Sequence, residues 1–389
     1  MRHICQWLRG KRDVFILAGL LLFFVSGLYG IGGLFTGMNT KPRLTIIPES
    51  LVSQHLTPPS DSAFLIESAT KQSNRFAMYG FWVADSNTIL LNSIYPAFQG
   101  VRLSLLHMDD NAVQDIVTNT DYGVDFTYDR TKIVYTRYKQ DRKGAETFSY
   151  DWKNGVSQKL DQNQAYKRLF LNENVYVGYD DTGYMEVDLS SGKERRFYTH
   201  EELASRLSRF TASVSDNEVL ALPDSMAISK DQKHLYMIVS FRANDEAIYR
   251  YSLKDDQDDE LFIRAEEILQ YALLNNGDFM LMGRVDGTSG IFLYDPGEKE
   301  YEVLLKGDFL GFEWDESRSR LAYIQMLDGQ WSKNELHVAY LRNNRLQSDT
   351  IIYRNVQDFY KLAWWEDSLF VGGSTLDSSE IYRFTFKVW

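Results

Sequence analysis

From residue 79 onward the chain repeats one arrangement: a first strand, a polar turn, a second strand, a longer loop, a third strand, another turn and a short fourth strand. The units start near Tyr79, Tyr122, Tyr166, Ser225, Tyr271, Leu310 and Tyr360, 39–59 residues apart. A four-stranded unit of about 40–50 residues cannot bury both its faces alone. Each unit must pack against its neighbours, and closing the series into a ring removes the exposed edges. The fold class is therefore all-β, a β-propeller of seven blades, with six as the alternative if two weaker units share one blade.

The strand reading rests on alternation. Lys132–Tyr138, Leu235–Val239, Ala247–Leu253 and Glu335–Leu341 are rich in Tyr, Val, Ile and Leu. Only seven prolines interrupt the ladders. An aromatic follows several unit starts (Trp82, Phe126, Phe170, Trp314, Trp364). An acid or Asn then opens each turn: Asp85, Asp129, Asn172, Asp231, Asn275, Asp315 and Asp367. Such side chains cap the backbone of a bend, so these positions read as architecture. The last unit ends after three strands, and Arg43–Ile47 is the expected donor of the fourth.

With these residues in view the repeat resembles TolB-like propellers and the propeller domains of prolyl-oligopeptidase-type enzymes. Ala227–Met237 with Ile248–Leu253, and Trp314–Tyr323 with Leu336–Leu341, carry the resemblance. It covers most of residues 79–389 and implies fold more than function. The family's Ser-Pro-Asp-Gly turn is absent and no hydrolase domain follows Trp389, so peptidase activity is not expected.

Val14–Phe35 are 22 residues without a charge. At about 1.5 Å per residue they span roughly 33 Å, enough for a bilayer core. Arg2, Arg9, Lys11 and Arg12 precede the segment against Asp13 alone. The positive-inside bias then places residues 1–13 in the cytoplasm and the body outside a cell membrane, as a single-pass signal-anchor. Secretion after signal cleavage is the alternative. Residues 36–78 read as linker and ring-closing strand, and 79–389 as the propeller. The net charge of −12 divides into +3 over residues 1–40 and −15 beyond. An acidic body excludes a nucleic-acid partner. The one cysteine, Cys5, precedes the apolar segment, so the body has no disulfide, thiolate metal site or cysteine nucleophile.

No cofactor and no metal is expected. None of His3, His55, His107, His200, His234 and His337 has a partner at ligand spacing, and His337 reads as packed in a strand. The acidic run Asp255–Glu260 lacks the glycine of a calcium loop and reads as a solvated turn. Residues 199–224 break the rhythm. Thr199-His-Glu-Glu202 has capping-box spacing, and Leu203, Leu207 and Phe210 share a helical face that is either a partner site or the packing of an inter-blade loop. Tyr79, Tyr122, Tyr166, Tyr271 and Tyr360 open their units. They either ring one channel mouth as a ligand site or pack between blades.

The leading functional expectation is a non-enzymatic, membrane-anchored extracytoplasmic module that binds a cell-envelope protein or extracellular ligand. The rival is a glycan hydrolase or lyase with carboxylates at the channel mouth. A third reading is a spacer within an envelope complex.

Overall fold

The computed structural model describes residues 63–387, apart from 75, 95–100, 139–144, 161–164, 211–219, 243, 255–258, 355–358 and 375–377. The apolar segment 14–35 and the stretch Arg43–Ile47 lie outside the described residues. Among the described residues no helix is long and apolar enough to cross a membrane.

Strand β1 (Ile66–Asn74) comes first and is used last. Blade 1 is β2 (Ala77–Val83), β3 (Thr88–Ile94), β4 (Val101–His107) and the first part of β5 (Val113–Phe126). The rest of β5 opens blade 2, which continues through β6 (Lys132–Tyr138), β7 (Ala145–Asp151) and β8 (Val156–Leu160). This one long strand fuses two blades into a seven-stranded sheet. Blade 3 is β9 (Lys167–Phe170), β10 (Val175–Asp180), β11 (Gly183–Asp188) and β12 (Lys193–Thr199). Blade 4 is β13 (Leu220–Ile228), β14 (His234–Arg242), β15 (Asp245–Ser252) and β16 (Glu260–Ala265). Blade 5 is β17 (Glu267–Leu273), β18 (Phe279–Val285), β19 (Thr288–Asp295) and β20 (Glu300–Lys306). Blade 6 is β21 (Phe309–Asp315), β22 (Arg320–Leu327), β23 (Gln330–Arg342) and β24 (Arg345–Arg354). Blade 7 is β25 (Phe359–Trp365), β26 (Ser368–Ser374) and β27 (Ser379–Phe386), completed by β1 in the order β1-β27-β26-β25.

The ring therefore has seven blades, and Ile66–Asn74 is its closing strand, antiparallel to β27 with Ala69 opposite Phe384 and Lys71 opposite Tyr382. This corrects the assignment of closure to Arg43–Ile47. Lys71 also pairs with Glu380 at 2.6 Å. Just before β1, Phe64 is 3% exposed and its ring lies 4.5 Å from that of Tyr340 in blade 6 and 5.9 Å from that of Phe386.

The core is divided among the blade interfaces. Phe81, Ile89 and Leu91 of blade 1 pack on Phe370 and Ile381 of blade 7. Leu90, Leu103 and Leu105 pack on Val124, Ile133 and Tyr135 of blade 2. Blades 4 and 5 share Ile238, Ile248, Phe279, Leu281 and Phe292. Successive side chains point to opposite faces, so the continuously buried runs of β3 and β26 give their sheets two apolar faces, and neighbouring units can cover one another.

The turn acids behave as expected of Asx chemistry. Asp85 Oδ1 accepts from the backbone N–H of Asn87 at 2.8 Å and of Thr88 at 2.6 Å. Asn172 does the same for Asn174 and Val175 at 2.9 Å. Asp129 and Asp231 also bond their own turns.

Among its described residues the insertion holds helix α1 (His200–Leu207), with the reciprocal capping box of Thr199 and Glu202. It ends in a single turn at Ser208–Phe210, and strand structure resumes at Leu220, ahead of the expected unit start at Ser225. Leu203 and Leu207, 2% and 0% exposed, pack with Tyr198, Met226 and Tyr249 between blades 3 and 4. That corrects their reading as partner contacts: they are core, and only Phe210, 39% exposed, faces outward. Arg206 pairs with Asp259 at 2.6 Å, tying α1 to the start of β16. The acidic positions 255–258 lie outside the described residues.

Candidate functional site

The first strands β2, β25, β21, β17, β13, β9 and the second part of β5 contact one another in that order and so line the axis of the ring. Their registers align residue by residue, because most carry a bulge at the same place. Pairing skips Tyr79 in β2, residues 121–123 in β5, residues 223–226 in β13, Leu269 in β17, Leu310 in β21 and Tyr360 in β25. A bulge adds one residue and turns the local side-chain set.

Counting from that place gives three layers. The second residue after it is the packing position: Phe81, Val124, Met226, Phe312 and Leu362 are all buried there. The first and third residues fall on the opposite side of the strand. The first-residue layer holds Gly80, Gly123 and Gly311, the polar Ser225 and Gln270, and two lysines, Lys167 and Lys361. The third-residue layer holds Trp82, Leu169, Ala227, Ala272 and Ala363, and two acids, Asp125 and Glu313.

The same alignment places the tyrosines. Tyr79 is 47% exposed at its bulge. Tyr122 and Tyr360 occupy the equivalent backbone positions, while their side chains lie outside the described residues. Tyr166 is half-buried, its hydroxyl donates to Asp181 at 2.7 Å, and its ring lies 5.8 Å from that of Tyr179. Tyr271 sits two residues further on, at the packing position, among Phe279 and Tyr236 of blades 5 and 4. Its hydroxyl is buried and burial holds the phenol well above its ordinary range. Leu269, 56% exposed, takes the mouth position instead. Tyr271 thus does not belong with Tyr79 at a mouth.

Sequence reading missed the charged residues of the axis. Lys167 pairs with Asp125 at 3.0 Å, and Asp125 also accepts the backbone N–H of Arg168 at 2.9 Å. Lys361 and Glu313 differ: among the described residues no hydrogen bond or ion pair closes on the ammonium or the carboxylate. The Lys361 ammonium instead lies 4.5 Å from the Trp82 ring centroid and 5.7 Å from that of Phe81. Both side chains keep part of their surface open. Burial pushes the Glu313 carboxyl up to about 7, with Asp315 adding to the rise and Lys361 and Arg130 opposing it. Burial and the neighbouring Lys167 bring the Lys361 ammonium down to about 8, against the pull of Glu313 and Asp125. The axis therefore holds an acid and an amine that exchange protons near neutral pH and have hydrogen-bonding capacity to spare. The signal available in sequence was a charge at first-strand positions where other units carry Gly, Ala, Ser, Gln or a large apolar residue.

The sign of the pH dependence follows. Glu313 is raised in the folded state, so it favours folding fully below about 4.5, and this contribution is lost as pH rises through about 7. Lys361 is depressed, so its contribution is full above about 10.5 and is lost as pH falls through about 8. Allowing for screening by axial water, Glu313→Gln is expected to remove about 2 kcal/mol of the stability difference between pH 4.5 and 7.5. Urea unfolding at the two pH values reads this out. An unchanged difference would place the Glu313 carboxyl in bulk-like solvent.

His337 resembles a catalytic group most closely among the described histidines. It is 6% exposed, stacks on Tyr323 at 4.7 Å, and its Nδ1 lies 3.1 Å from Asp349. All three residues come from β22–β24, off the axis, so the cluster reads as packing. Among the described residues no group of three His, Cys, Asp or Glu is placed to hold a metal ion.

No protein-family model and no curated protein matches the chain. Solved structures do. The chain is similar to a prolyl endopeptidase studied for inter-domain dynamics, at a TM-score of 0.53 and 11% identity over 82% of this chain; it spans 50% of that protein's length. It is similar to the β-propeller domain of the Trilobed protease from Pyrococcus furiosus, at 0.51 and 12% over 79% of this chain and 95% of that one. It is also similar to hydrazine synthase from Kuenenia stuttgartiensis, at 0.52 and 9% over 80% and 96%. TolB from Acinetobacter baumannii overlaps more loosely, at 0.41 and 13% over 71% and 66%. At such identities the likeness concerns fold alone. The chain is a seven-bladed β-propeller, a fold it shares with the protease propellers.

Proposed function

We propose that the protein is a membrane-anchored, extracytoplasmic binding module whose ligand site is the axis of the ring. The observation that carries this reading is the Glu313–Lys361 pair: two half-buried ionisable side chains in adjacent layers of the first strands, with no hydrogen-bonding partner among the described residues. Buried polar groups are ordinarily satisfied, and groups left with spare capacity in an enclosed, accessible space suit a ligand. The uncharged run Val14–Phe35, with its cationic flank, supports the anchor and the extracytoplasmic side.

Cross-linking of the full chain in its membrane, followed by pull-down, tests the binding role. The wild type is expected to recover a discrete partner or glycan, and the double variant Glu313→Gln, Lys361→Met at least tenfold less. Equal recovery by both would overturn the axial site. Topology is tested with Cys5, the chain's one cysteine. A membrane-impermeant thiol reagent is expected to label it only after permeabilisation, and labelling of intact cells would reverse the orientation.

Glycan hydrolysis is the second reading, and one observation favours it: Asp125 and Glu313 share a layer and have unlike environments. Asp125 is tied to Lys167 and the Arg168 backbone, whereas Glu313 holds a proton near neutral pH. Release of reducing sugar from envelope glycan, abolished by Glu313→Gln, would establish it.

A further inference from the structure

We infer that the lysine layer beneath the mouth is a carboxylate site, which takes the free C-terminus of a peptide while the apolar mouth holds the last side chains. This rests on the axial reading above and names the chemistry of its ligand.

Three observations converge. First, the layer carries two cations and no acid. Lys167 opposes the charge on Lys361 while Glu313 and Asp125 of the next layer favour it, and of the two lysines only Lys167 has a carboxylate in contact. Two ammonium groups facing one space repel each other, and a bound anion relieves that repulsion. A cationic or neutral ligand does not.

Second, the layer admits a small group. A Cβ added at Gly80 would meet nothing nearer than the Lys361 ammonium and the Trp82 ring, each at 3.8 Å. One added at Gly311 would meet only Gln270 Oε1, at 3.7 Å. Both are ordinary van der Waals contacts, so a methyl-sized group fits beside Lys361 against glycine backbone and indole. Gln270 does not compete for the ligand, since its amide is committed to the backbone of Phe312 at 2.6 and 3.1 Å.

Third, the chemistry changes with depth. The mouth positions present Tyr79 and Leu269, 47% and 56% exposed, above the lysines. The acids Asp125 and Glu313 lie one layer below. A ligand with an apolar body and a single negative tip matches that order. A doubly charged phosphate sits less well, because the acid layer is directly beneath it. A carboxylate with one charge and two acceptor oxygens can engage both ammonium groups.

The test uses the full chain in detergent and calorimetry with three probes: acetyl-leucyl-phenylalanine with a free C-terminus, the same dipeptide as its amide, and inorganic phosphate. The free acid is expected to bind, and the amide at least tenfold more weakly. Lys361→Met is expected to weaken the acid at least tenfold and Lys361→Arg to retain it. Gly80→Ala adds a methyl in van der Waals contact with the Lys361 ammonium and the Trp82 ring. It is expected to weaken binding of the acid at least tenfold while leaving the thermal transition in place, so loss of affinity is separable from loss of fold. No binding of the acid, equal binding of acid and amide, or an unaffected Lys361→Met variant would each overturn the inference. Phosphate binding as tight as the peptide acid would overturn the assignment to a peptide end. If the membrane pull-down still depends on the axial pair while the acid fails to bind, this inference falls and the binding role stands.

Discussion

Phe64→Ala is expected to lower the stability of the ring by about 3–5 kcal/mol, the range for emptying a buried aromatic site. Phe64 is 3% exposed and wedged between Tyr340 of blade 6 and Phe386 of blade 7. It is also the residue that seats β1, and β1 is the only strand of blade 7 that arrives from the other end of the chain. Losing its anchor weakens the pairing with β27 and reopens a sheet edge. Urea unfolding gives the size of the effect. Limited proteolysis gives its location, with cleavage expected first between residues 63 and 77. A loss below about 1 kcal/mol, or first cleavage within blade 4, would show that closure does not depend on this contact.

Arg168→Met is expected to cost about 3 kcal/mol, because it removes one member of a buried polar set and strands the others. At the packing position where other first strands hold Phe, Val, Met, Tyr or Leu, blade 3 holds an arginine that is 2% exposed. Its guanidinium donates to the Gly123 carbonyl at 3.0 Å and to Thr136 Oγ1 at 2.8 Å, joining blade 3 to blade 2. Its backbone N–H serves Asp125, and the guanidinium approaches the same carboxylate at 4.0 Å. Gly123 lets this interface close: a Cβ there would lie 2.7 Å from the Ala165 carbonyl oxygen. Arg168→Lys is expected not to rescue, since one ammonium on a flexible stem cannot replace a planar fork reaching two acceptors. The readout is the urea midpoint of both variants. Full stability in either would mean that apolar packing alone holds blades 2 and 3 together.

The ring itself was legible in the sequence. The 40–50-residue spacing, the alternating Tyr, Val and Ile, and the turn-opening acids all report local rules, and local rules survive without knowledge of the partner blade. Closure was half legible. The missing fourth strand was evident from the last unit, but any short alternating stretch before Tyr79 qualified as donor, and only the pairing of β1 with β27 separates Ile66–Asn74 from Arg43–Ile47. The axial residues were not legible, because bulges shift the count. Tyr271 resembles Tyr79 in sequence spacing, yet the bulge at Leu269 moves it to the packing position. The same uncertainty of one or two residues hides Asp125, Lys167, Glu313 and Lys361 among ordinary strand charges. Helix α1 shows the reverse case. Its capping box was readable, whereas the side its apolar residues face was set by Tyr198 and Met226 of the adjoining blades.

Photo-cross-linking from the mouth tests the axial site most directly. A photoreactive phenylalanine replaces Tyr79 at the mouth or Val156, 61% exposed on the outer strand of blade 2, in the full chain expressed in cells. A discrete adduct is expected from position 79 and not from 156, and it is expected to disappear when Lys361→Met is added. An adduct from position 156 alone, or one from position 79 that persists with Lys361→Met, would contradict the axis as the place where this propeller meets its ligand.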